Sequence, residues 1–310
     1  MPRWRLKIVF AGTTTNAVEV LRYLQEQQRH EIVAVLTRED APVGRKKILT
    51  PSPVASFAEA QQLPVIKANR IDSSIEDRLI ATGFEIGLVI AYGSLLKAST
   101  LSLPKLGWFN IHFSLLPKWR GAAPVQRSIL AGDADTGITI FRLDEGMDTG
   151  DMVCQVPATI EPDDNTTTLL DRLTRLSISA LDETLAKIES GIAVFTRQSG
   201  EATHAAKFSR DIVRINWSNN SSAIDQLIRA ANPEPMAWTQ LDDEAFRVIE
   251  ARPVAHESFD KPGAVQVIDS KVIVACGNGC LELLEVQPAS KNAMKASDWI
   301  RGKNGEVNFQ

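Results

Sequence analysis

The first half of the chain alternates short apolar runs with amphipathic stretches, and no other feature restricts the fold as strongly. Buried strands are predicted for the apolar runs at 6–11, 31–37, 63–66, 85–92, 107–112 and 136–143. Helices are predicted for the intervening segments at 16–28, 52–62 and 124–131. Alternation of this kind is typical of a mostly parallel sheet with helices on both faces, so we expect a Rossmann-like α/β architecture.

The first half is followed by one long amphipathic helix, predicted over 165–190. The pattern changes after residue 210, where a shorter helix is predicted over 221–231. Strand-like runs follow at 236–241, 245–251, 263–268, 271–276 and 281–286, separated by Gly, Asp and Pro. Five short strands in about sixty residues indicate a small, OB-like β-barrel. We therefore expect a first domain over 1–190, a linker over 191–210 and a C-terminal barrel over 211–310.

Composition excludes several classes of protein. A chain of 310 residues with 44% hydrophobic and 23% charged residues fits a two-domain soluble protein. It contains no apolar run of about 18 residues, and the apolar run after the basic start is too short for a signal peptide, so we expect a cytoplasmic protein without a membrane segment. Three cysteines without a CxxC pair predict neither disulfides nor a zinc site. The net charge of −4 argues against a strongly basic nucleic-acid binder, although a local basic patch remains compatible with it.

Two polar side chains close an otherwise apolar strand. Asn110 and His112 alternate with a period of two, so both face the same side, which would normally be core. A loop follows immediately, and loops held by a rigid strand commonly display catalytic groups. Asp148 lies further on, between two glycines, where a turn aspartate is common. Asn110, His112 and Asp148 are our candidate catalytic residues.

Two short basic segments are open to more than one interpretation. Gly44-Arg45-Lys46-Lys47 lies in a predicted loop, which is either simply solvated or a flexible contact for a phosphate backbone. Lys118-Trp119-Arg120 places an aromatic side chain between two cations. That arrangement suits an anionic or stacked substrate, or the capping of a helix end.

The run Asn110-x-His112-x-Ser114-Leu115-Leu116-Pro117, with Asp148-Thr149-Gly150 downstream, resembles the folate-dependent formyltransferases. Further similarity is found at 10–13, 51–54, 89–93 and 146–152, and more weakly in the tail at 214–217, 228–230 and 287–289. The resemblance therefore covers nearly the whole chain, and its central motif is highly specific.

The resemblance implies transfer of a formyl group from 10-formyltetrahydrofolate to an amine. The runs at 114–124 and 126–128 resemble the branch whose acceptor is the α-amino group of methionine on initiator tRNA, a step of translation initiation. Enzymes acting on glycinamide ribonucleotide are usually shorter, and those acting on amino sugars lack the run at 120–124 and the basic loop. A non-catalytic tRNA-binding protein is the alternative from another class, but it would not need to keep Asn, His and Asp together.

The resemblance also implies roles for particular residues. Asn110 would donate to the oxyanion that develops on the formyl oxygen, and His112 would either donate to the same oxyanion or assist proton transfer. Asp148 would either orient and charge-stabilise His112 or accept a proton from the amine. The folate would lie against Ser114, Leu115, Leu116 and Pro117 and against the backbone of Ala91, Tyr92 and Gly93. The tRNA would contact Arg45, Lys46, Lys47, Arg120 and the barrel. We expect a monomer that needs no metal.

Overall fold

The computed structural model describes residues 5–44, 46–256, 260–303 and 306–310. The chain divides into two compact units. The first comprises 1–124, 135–159 and 170–205, and the second comprises 125–134, 160–169 and 206–310. Within the described ranges, no helix combines the length and the apolar character that crossing a membrane requires.

The strands up to residue 205 are β1 (Lys7–Gly12), β2 (Glu31–Thr37), β3 (Ala41–Val43), β4 (Ile48–Thr50), β5 (Val65–Lys67), β6 (Ile86–Ile90), β7 (Trp108–His112), β8 (Arg120–Gly121), β9 (Asp135–Arg142), β10 (Met152–Thr159) and β11 (His204–Ala205). The helices of this stretch are α1 (Thr15–Gln27), α2 (Pro53–Ala60), α3 (Ser73–Ala81), α4 (Ala98–Leu101), α5 (Pro124–Ala131) and α6 (Thr166–Glu189).

The first unit is built on a sheet with the strand order β10-β9-β7-β6-β1-β2-β5. The strands from β7 to β5 along this order are parallel to one another, whereas β9 and β10 run antiparallel to their neighbours. Central strands are almost wholly buried, since β6 and most of β1 expose no side chain. Burial on both faces explains why these segments are continuous apolar runs rather than alternating ones.

Two helix starts in this unit, those of α2 and α3, are fixed by local polar side chains. The Ser52 hydroxyl accepts a hydrogen bond of 2.9 Å from the Ala55 amide, and Pro53 occupies the first turn of α2. Asp72 caps α3 in the same way through the Ile75 amide at 3.0 Å. These caps satisfy amide groups that the helix itself cannot pair.

The strand order reverses between β1 and β6. From β1 the chain adds β2 and β5 on one side, and β6 and β7 lie on the other side. In open parallel sheets, ligands bind beyond the carboxyl ends of the strands at such a switch point. The ends of β1, β6 and β7 therefore mark the edge at which a site is expected.

The second unit is an antiparallel sheet with a helix packed on it. Its remaining elements are α7 (Ser221–Ala231), β12 (Ala237–Leu241), β13 (Glu244–Val254), β14 (Ala264–Ile268), β15 (Lys271–Ala275), β16 (Cys280–Gln287), β17 (Met294–Lys295), α8 (Ala296–Arg301) and β18 (Val307–Asn308). The strand order is β12-β13-β16-β15-β14-β18, and β17 pairs with β16. The Gln310 amide donates to the Gln240 carbonyl of β12 at 3.0 Å, which brings the two edges together. Its core stacks Trp217, Phe246, Trp299 and Phe309.

The fold class expected from the sequence is confirmed: a mostly parallel sheet flanked by helices is followed by a curled, half-barrel antiparallel sheet. The prediction of a simple loop around the basic segment missed a small hairpin, because β3 and β4 pair across it. The sequence analysis also did not predict β10, whose Pro157 and half-exposed pattern are typical of an edge strand rather than a central one.

Candidate active site at the carboxyl edge of the parallel sheet

Asn110 and His112 lie together at the carboxyl end of β7, as the sequence pattern indicated. Asn110 pairs in register with Val89 of β6 on one side and Phe141 of β9 on the other, and His112 pairs with Thr139. The His112 side chain is only 5% exposed, whereas Asn110 is half-buried. Among the described residues, none forms a hydrogen bond with the side-chain amide of Asn110, so its NH₂ group can donate to a bound molecule.

The contacts of His112 define which ring nitrogen carries the proton. Its Nε2 lies 2.8 Å from the backbone carbonyl oxygen of Trp119. Because a carbonyl can only accept, Nε2 must be the protonated nitrogen of the neutral ring. The other nitrogen, Nδ1, lies 3.8 Å from Asp148 Oδ2. Neutral His112 therefore presents an unprotonated Nδ1 on the side of Asp148.

Burial dominates the acid–base behaviour of His112. Loss of hydration lowers the pKa of the imidazole from its ordinary value of 6.5, and the negative charge of Asp148 and the hydrogen bond to Trp119 oppose this effect without overcoming it. The ring is consequently neutral at pH 7. A neutral imidazole next to a carboxylate can take up a proton and have the resulting charge stabilised.

Asp148 is held in a tight turn against the start of β8. Its Oδ2 accepts a hydrogen bond of 2.7 Å from the Gly121 amide. Its backbone has a φ of 53°, a left-handed conformation that aspartate tolerates better than most residues. The turn therefore aims the carboxylate at His112, and the sequence-predicted triad of Asn110, His112 and Asp148 is brought to one edge of the sheet.

The loop after β7 is organised by its own polar groups. The buried Ser114 hydroxyl donates to the Lys118 carbonyl at 2.5 Å. Thr139 donates to the Ser114 carbonyl at 2.7 Å and accepts from the Leu116 amide at 3.2 Å. The peptide between Leu116 and Pro117 is cis. Within this predicted folate segment, Leu115 and Pro117 are the residues left partly exposed.

The second predicted folate segment follows β6, the neighbour of β7. The Tyr92 ring is buried, and its hydroxyl donates to the Ala68 carbonyl at 2.9 Å. Burial raises the pKa of Tyr92 to about 12, so the phenol stays neutral. Ala91 and Gly93 both have positive φ angles. The tyrosine side chain thus anchors this turn, and Ala91 and Gly93 on either side of it are exposed.

The predicted tRNA contacts lie in two places. Lys46 and Lys47 are exposed at the tip of the β3–β4 hairpin, and Arg45 lies outside the described residues. Arg120 is half-buried, and its guanidinium donates to Gln198 Oε1 at 3.1 Å and 2.6 Å. Arg120 also lines an open cleft of about 400 Å³ together with two further arginines and two aspartates, namely Arg142, Arg197, Asp144 and Asp151.

Three contributors to this site were missed by the sequence analysis. The Trp119 carbonyl and the Gly121 amide act through the backbone, which leaves no mark on residue type. Gln198 lies in the segment interpreted as a linker, and nothing in the local sequence distinguishes it. Within the described ranges, no three His, Cys, Asp or Glu side chains are grouped so as to hold a metal ion.

Comparison with known proteins matches both units. A family model described as formyl transferase matches residues 6–185, and the model of the formyl transferase C-terminal domain matches 207–304. A methionyl-tRNA formyltransferase from Leifsonia xyli is 44% identical over 97% of this chain and 99% of its own length.

Solved structures agree at the level of fold. WlaRD, a sugar 3N-formyl transferase crystallised in the presence of dTDP and 5-N-formyl-THF, has a TM-score of 0.65 at 19% identity and covers 93% of this chain and all of its own. Methionyl-tRNA formyltransferase from Clostridium thermocellum has a TM-score of 0.59 at 14% identity, with 93% of this chain and 100% of that one covered. Since the family models match well over half of the sequence and a close relative matches from end to end, this chain belongs to the formyl transferase family.

Proposed function

We propose that this protein transfers the formyl group of 10-formyltetrahydrofolate to the α-amino group of methionine carried by initiator tRNA. The observation that carries the proposal is the 44% identity, over nearly the full length of both chains, to a methionyl-tRNA formyltransferase. A folate-derived formyl donor is supported by the solved relative crystallised with 5-N-formyl-THF. The arrangement at the end of β7 suits this chemistry.

Asn110 is proposed to stabilise the oxyanion. When the amine attacks the formyl carbon, negative charge develops on the formyl oxygen. The side-chain amide of Asn110 forms no hydrogen bond with any described residue, so its NH₂ group can donate to that oxygen without a change of charge. A donor placed in this way contributes roughly 3–4 kcal/mol to the transition state.

His112 and Asp148 are proposed to move the proton. Attack leaves a positively charged amine nitrogen, which must lose a proton before the product amide forms. The unprotonated Nδ1 of neutral His112 can accept it, and Asp148 at 3.8 Å stabilises the imidazolium. As the bond between formyl carbon and N10 breaks, N10 takes up a proton, and tetrahydrofolate leaves. In this arrangement His112 Nε2 remains on the Trp119 carbonyl, which favours proton transfer over oxyanion binding for this residue.

Substrate contacts are proposed at the edges of this triad. The pterin and its linker would lie against Ser114–Pro117 and the backbone of Ala91–Gly93, at the carboxyl ends of adjacent strands. Lys46, Lys47 and the neighbouring Arg45 would contact the phosphate backbone of the acceptor stem. Arg120 is retained as a tRNA contact through the cleft beside Asp148, where the aminoacyl end of the tRNA would enter.

The remaining expectations from the sequence are proposed on the same basis. We propose residues 1–190 as the catalytic domain, 191–210 as a connecting segment and 211–310 as a domain that contacts tRNA. Use of initiator tRNA favours a cytoplasmic location. We propose that the enzyme acts as a monomer and that the reaction proceeds without a metal, since direct attack of an amine on a formyl group requires none.

A formyl-transfer assay with competing acceptors tests the function. Purified protein and 10-formyltetrahydrofolate are incubated with methionyl initiator tRNA, methionyl elongator tRNA, glycinamide ribonucleotide or an amino-sugar nucleotide. We expect rapid formylation of the charged initiator tRNA and none of the two small acceptors. Preferential formylation of either small acceptor would assign the chain to another branch of the family.

A further inference from the structure

A glutamine outside the triad links the backbones on which His112 and Asp148 depend. Gln198 Nε2 donates to the carbonyl oxygen of Asp148 at 2.8 Å and to that of Gly150 at 2.9 Å. Its Oε1 accepts two hydrogen bonds from the Arg120 guanidinium. All the donors and acceptors of this half-buried amide are therefore used.

Arg120 stands between the two backbone groups that touch the triad. The residue before it, Trp119, supplies the carbonyl that accepts from His112 Nε2, and the residue after it, Gly121, supplies the amide that binds Asp148 Oδ2. Gln198 holds the side chain of Arg120 and the main chain of Asp148 at the same time. These contacts therefore form a closed circuit, which runs from His112 through Trp119, Arg120 and Gln198 to Asp148 and back to His112.

The segment that carries Gln198 is fixed at both ends. Thr196 exchanges two backbone hydrogen bonds of 2.8 Å with Met152 of β10. At the other end, β11 pairs with β8, and the Thr203 hydroxyl accepts from the Trp119 amide at 2.9 Å. The segment is thus tied to β10, which follows the Asp148 turn, and to β8, which supplies the Gly121 amide. Gln198 can therefore set the position of the Asp148 turn relative to β8.

The Asp148 turn needs such support. The residue has a left-handed backbone, and conformations of this kind persist only when surrounding contacts hold them. A carbonyl held at 2.8 Å restricts rotation of the peptide that follows it. Loss of this contact would let the carboxylate move away from His112 while the triad side chains themselves stay unchanged.

We propose that Gln198 is a positioning residue for formyl transfer, which fixes the distance between His112 and Asp148 through its bonds to Arg120 and to the Asp148 turn. The inference rests on the proposed function for its kinetic consequences. Its geometric consequence, the interaction between His112 and Asp148, is independent of any substrate.

The test replaces Gln198 by methionine, which has a similar size and no hydrogen-bonding amide, and uses Ser199→Ala in the same exposed segment as the control. Histidine NMR of the whole protein reports the pKa of His112, because the sequence contains four histidines and His112→Gln identifies the signal. Asp148 is the ionisable side chain whose charge acts on His112 in the described structure, and it raises the imidazole pKa. Its displacement in Gln198→Met should therefore lower that pKa relative to the wild type.

Steady-state kinetics provide the second measurement. We expect Gln198→Met to lower kcat roughly tenfold to a hundredfold, with KM for the folate within about twofold of the wild type. Ser199→Ala should match the wild type in both measurements. Arg120→Lys keeps one donor towards Gln198, so we expect a fall in the His112 pKa that is intermediate between the wild type and Gln198→Met. If Gln198→Met does not fold, this variant tests whether Gln198 positions Asp148.

Two results would overturn the inference. One is a His112 pKa unchanged in a folded Gln198→Met protein, whatever happens to kcat, because Gln198 would then support only the stability of the segment. The other is a lowered pKa with wild-type kcat. Failure of the wild-type protein to formylate any acceptor would instead refute the proposed function, and the NMR measurement would still decide whether Gln198 positions Asp148.

Discussion

At the scale of single residues, the site depends on a histidine that is kept neutral and oriented. The Trp119 carbonyl accepts a hydrogen bond from protonated Nε2, and burial lowers the pKa of the ring below its ordinary 6.5. These two effects leave Nδ1 free to accept a proton at neutral pH. The proposed role of Asp148 rests on the same geometry, because its carboxylate faces the nitrogen that would become positively charged.

The pH dependence of Asp148→Asn tests this division of roles. The proposed role of His112 as a base requires the neutral ring, so we expect kcat to fall as the pH drops through the pKa of that ring. The Asp148 charge raises this pKa, and its removal lowers the pKa further. We expect kcat of Asp148→Asn to be roughly a hundredfold to ten-thousandfold lower, with the acidic limb of its pH profile moved to lower pH than in the wild type. A limb that moves to higher pH would contradict the proposed charge interaction.

Asn110 offers a separate test, because it acts on the substrate and not on the proton. Replacing it with alanine removes the oxyanion donor, so kcat should fall roughly a hundredfold to a thousandfold at a nearly unchanged thermal midpoint. Asn110→Asp keeps the volume but directs negative charge at the developing oxyanion, and we expect a greater loss. Steady-state kinetics and circular dichroism check both variants, and an Asn110→Asp enzyme more active than Asn110→Ala would rule out the donor role.

At the scale of elements, the two-residue pair β8–β11 is short but supplies a backbone amide that binds the Asp148 carboxylate. Gly121 lies in β8 with a φ of 124°, and a Cβ built on it would lie 2.8 Å from the Ala205 carbonyl oxygen of β11. No L-residue with a side chain fits there without separating the strands. The same glycine supplies the amide that binds Asp148, so the pairing of the two strands and the hydrogen bond to Asp148 depend on one position.

Gly121→Ala is therefore expected to lower both thermal stability and kcat. Gly191→Ala is the matched control, because Gly191 also has a positive φ, of 71°, but a Cβ there would meet nothing within 4 Å. The control should lose about 1–2 kcal/mol from backbone strain alone. Thermal unfolding and steady-state kinetics of the two variants separate strain from strand separation. Equal losses of stability, with wild-type kcat in both, would show that β8 does not position Asp148.

At the scale of the whole molecule, the net charge of −4 must be reconciled with an anionic substrate. Local clusters of cations, rather than the total charge, determine how a phosphate backbone binds. The exposed Lys46 and Lys47 at the tip of the β3–β4 hairpin place two such cations side by side, and Arg45 precedes them in the sequence. Recognition of tRNA should therefore be sensitive to salt although the protein is acidic.

We expect kcat/KM for tRNA to fall steeply between about 50 and 200 mM salt, while KM for the folate changes little. The double variant Lys46→Ala/Lys47→Ala should raise KM for tRNA and reduce the slope of log(kcat/KM) against log[salt] by about 2, one for each lost phosphate contact. Lys187→Ala serves as the control, because Lys187 is exposed on α6 and pairs with Glu183. A double variant with the wild-type slope would exclude the hairpin tip from the tRNA interface.

Much of the architecture was predictable because its determinants are local. Apolar runs bounded by caps and turns place β1, β2, β6 and β7 to within a residue or two, and the long helix over 165–190 matches α6. The edge strand β10, which is half-exposed and contains Pro157, and the fully exposed hairpin strands β3 and β4 were not predictable, since such segments carry no strong pattern of apolar residues. The exposed tip of that hairpin is visible only once β3 and β4 are paired.

The sequence by itself determined the alternating α/β pattern, the family and the identity of Asn110, His112 and Asp148 as candidates, because residue type and spacing along a strand are enough for these. The tertiary structure decided which nitrogen of His112 faces Asp148, and it recruited the Trp119 carbonyl, the Gly121 amide and Gln198. Backbone groups are the same in every residue, and Gln198 lies fifty residues from Asp148 along the chain. Their roles arise from contacts made by folding, which residue type cannot encode locally.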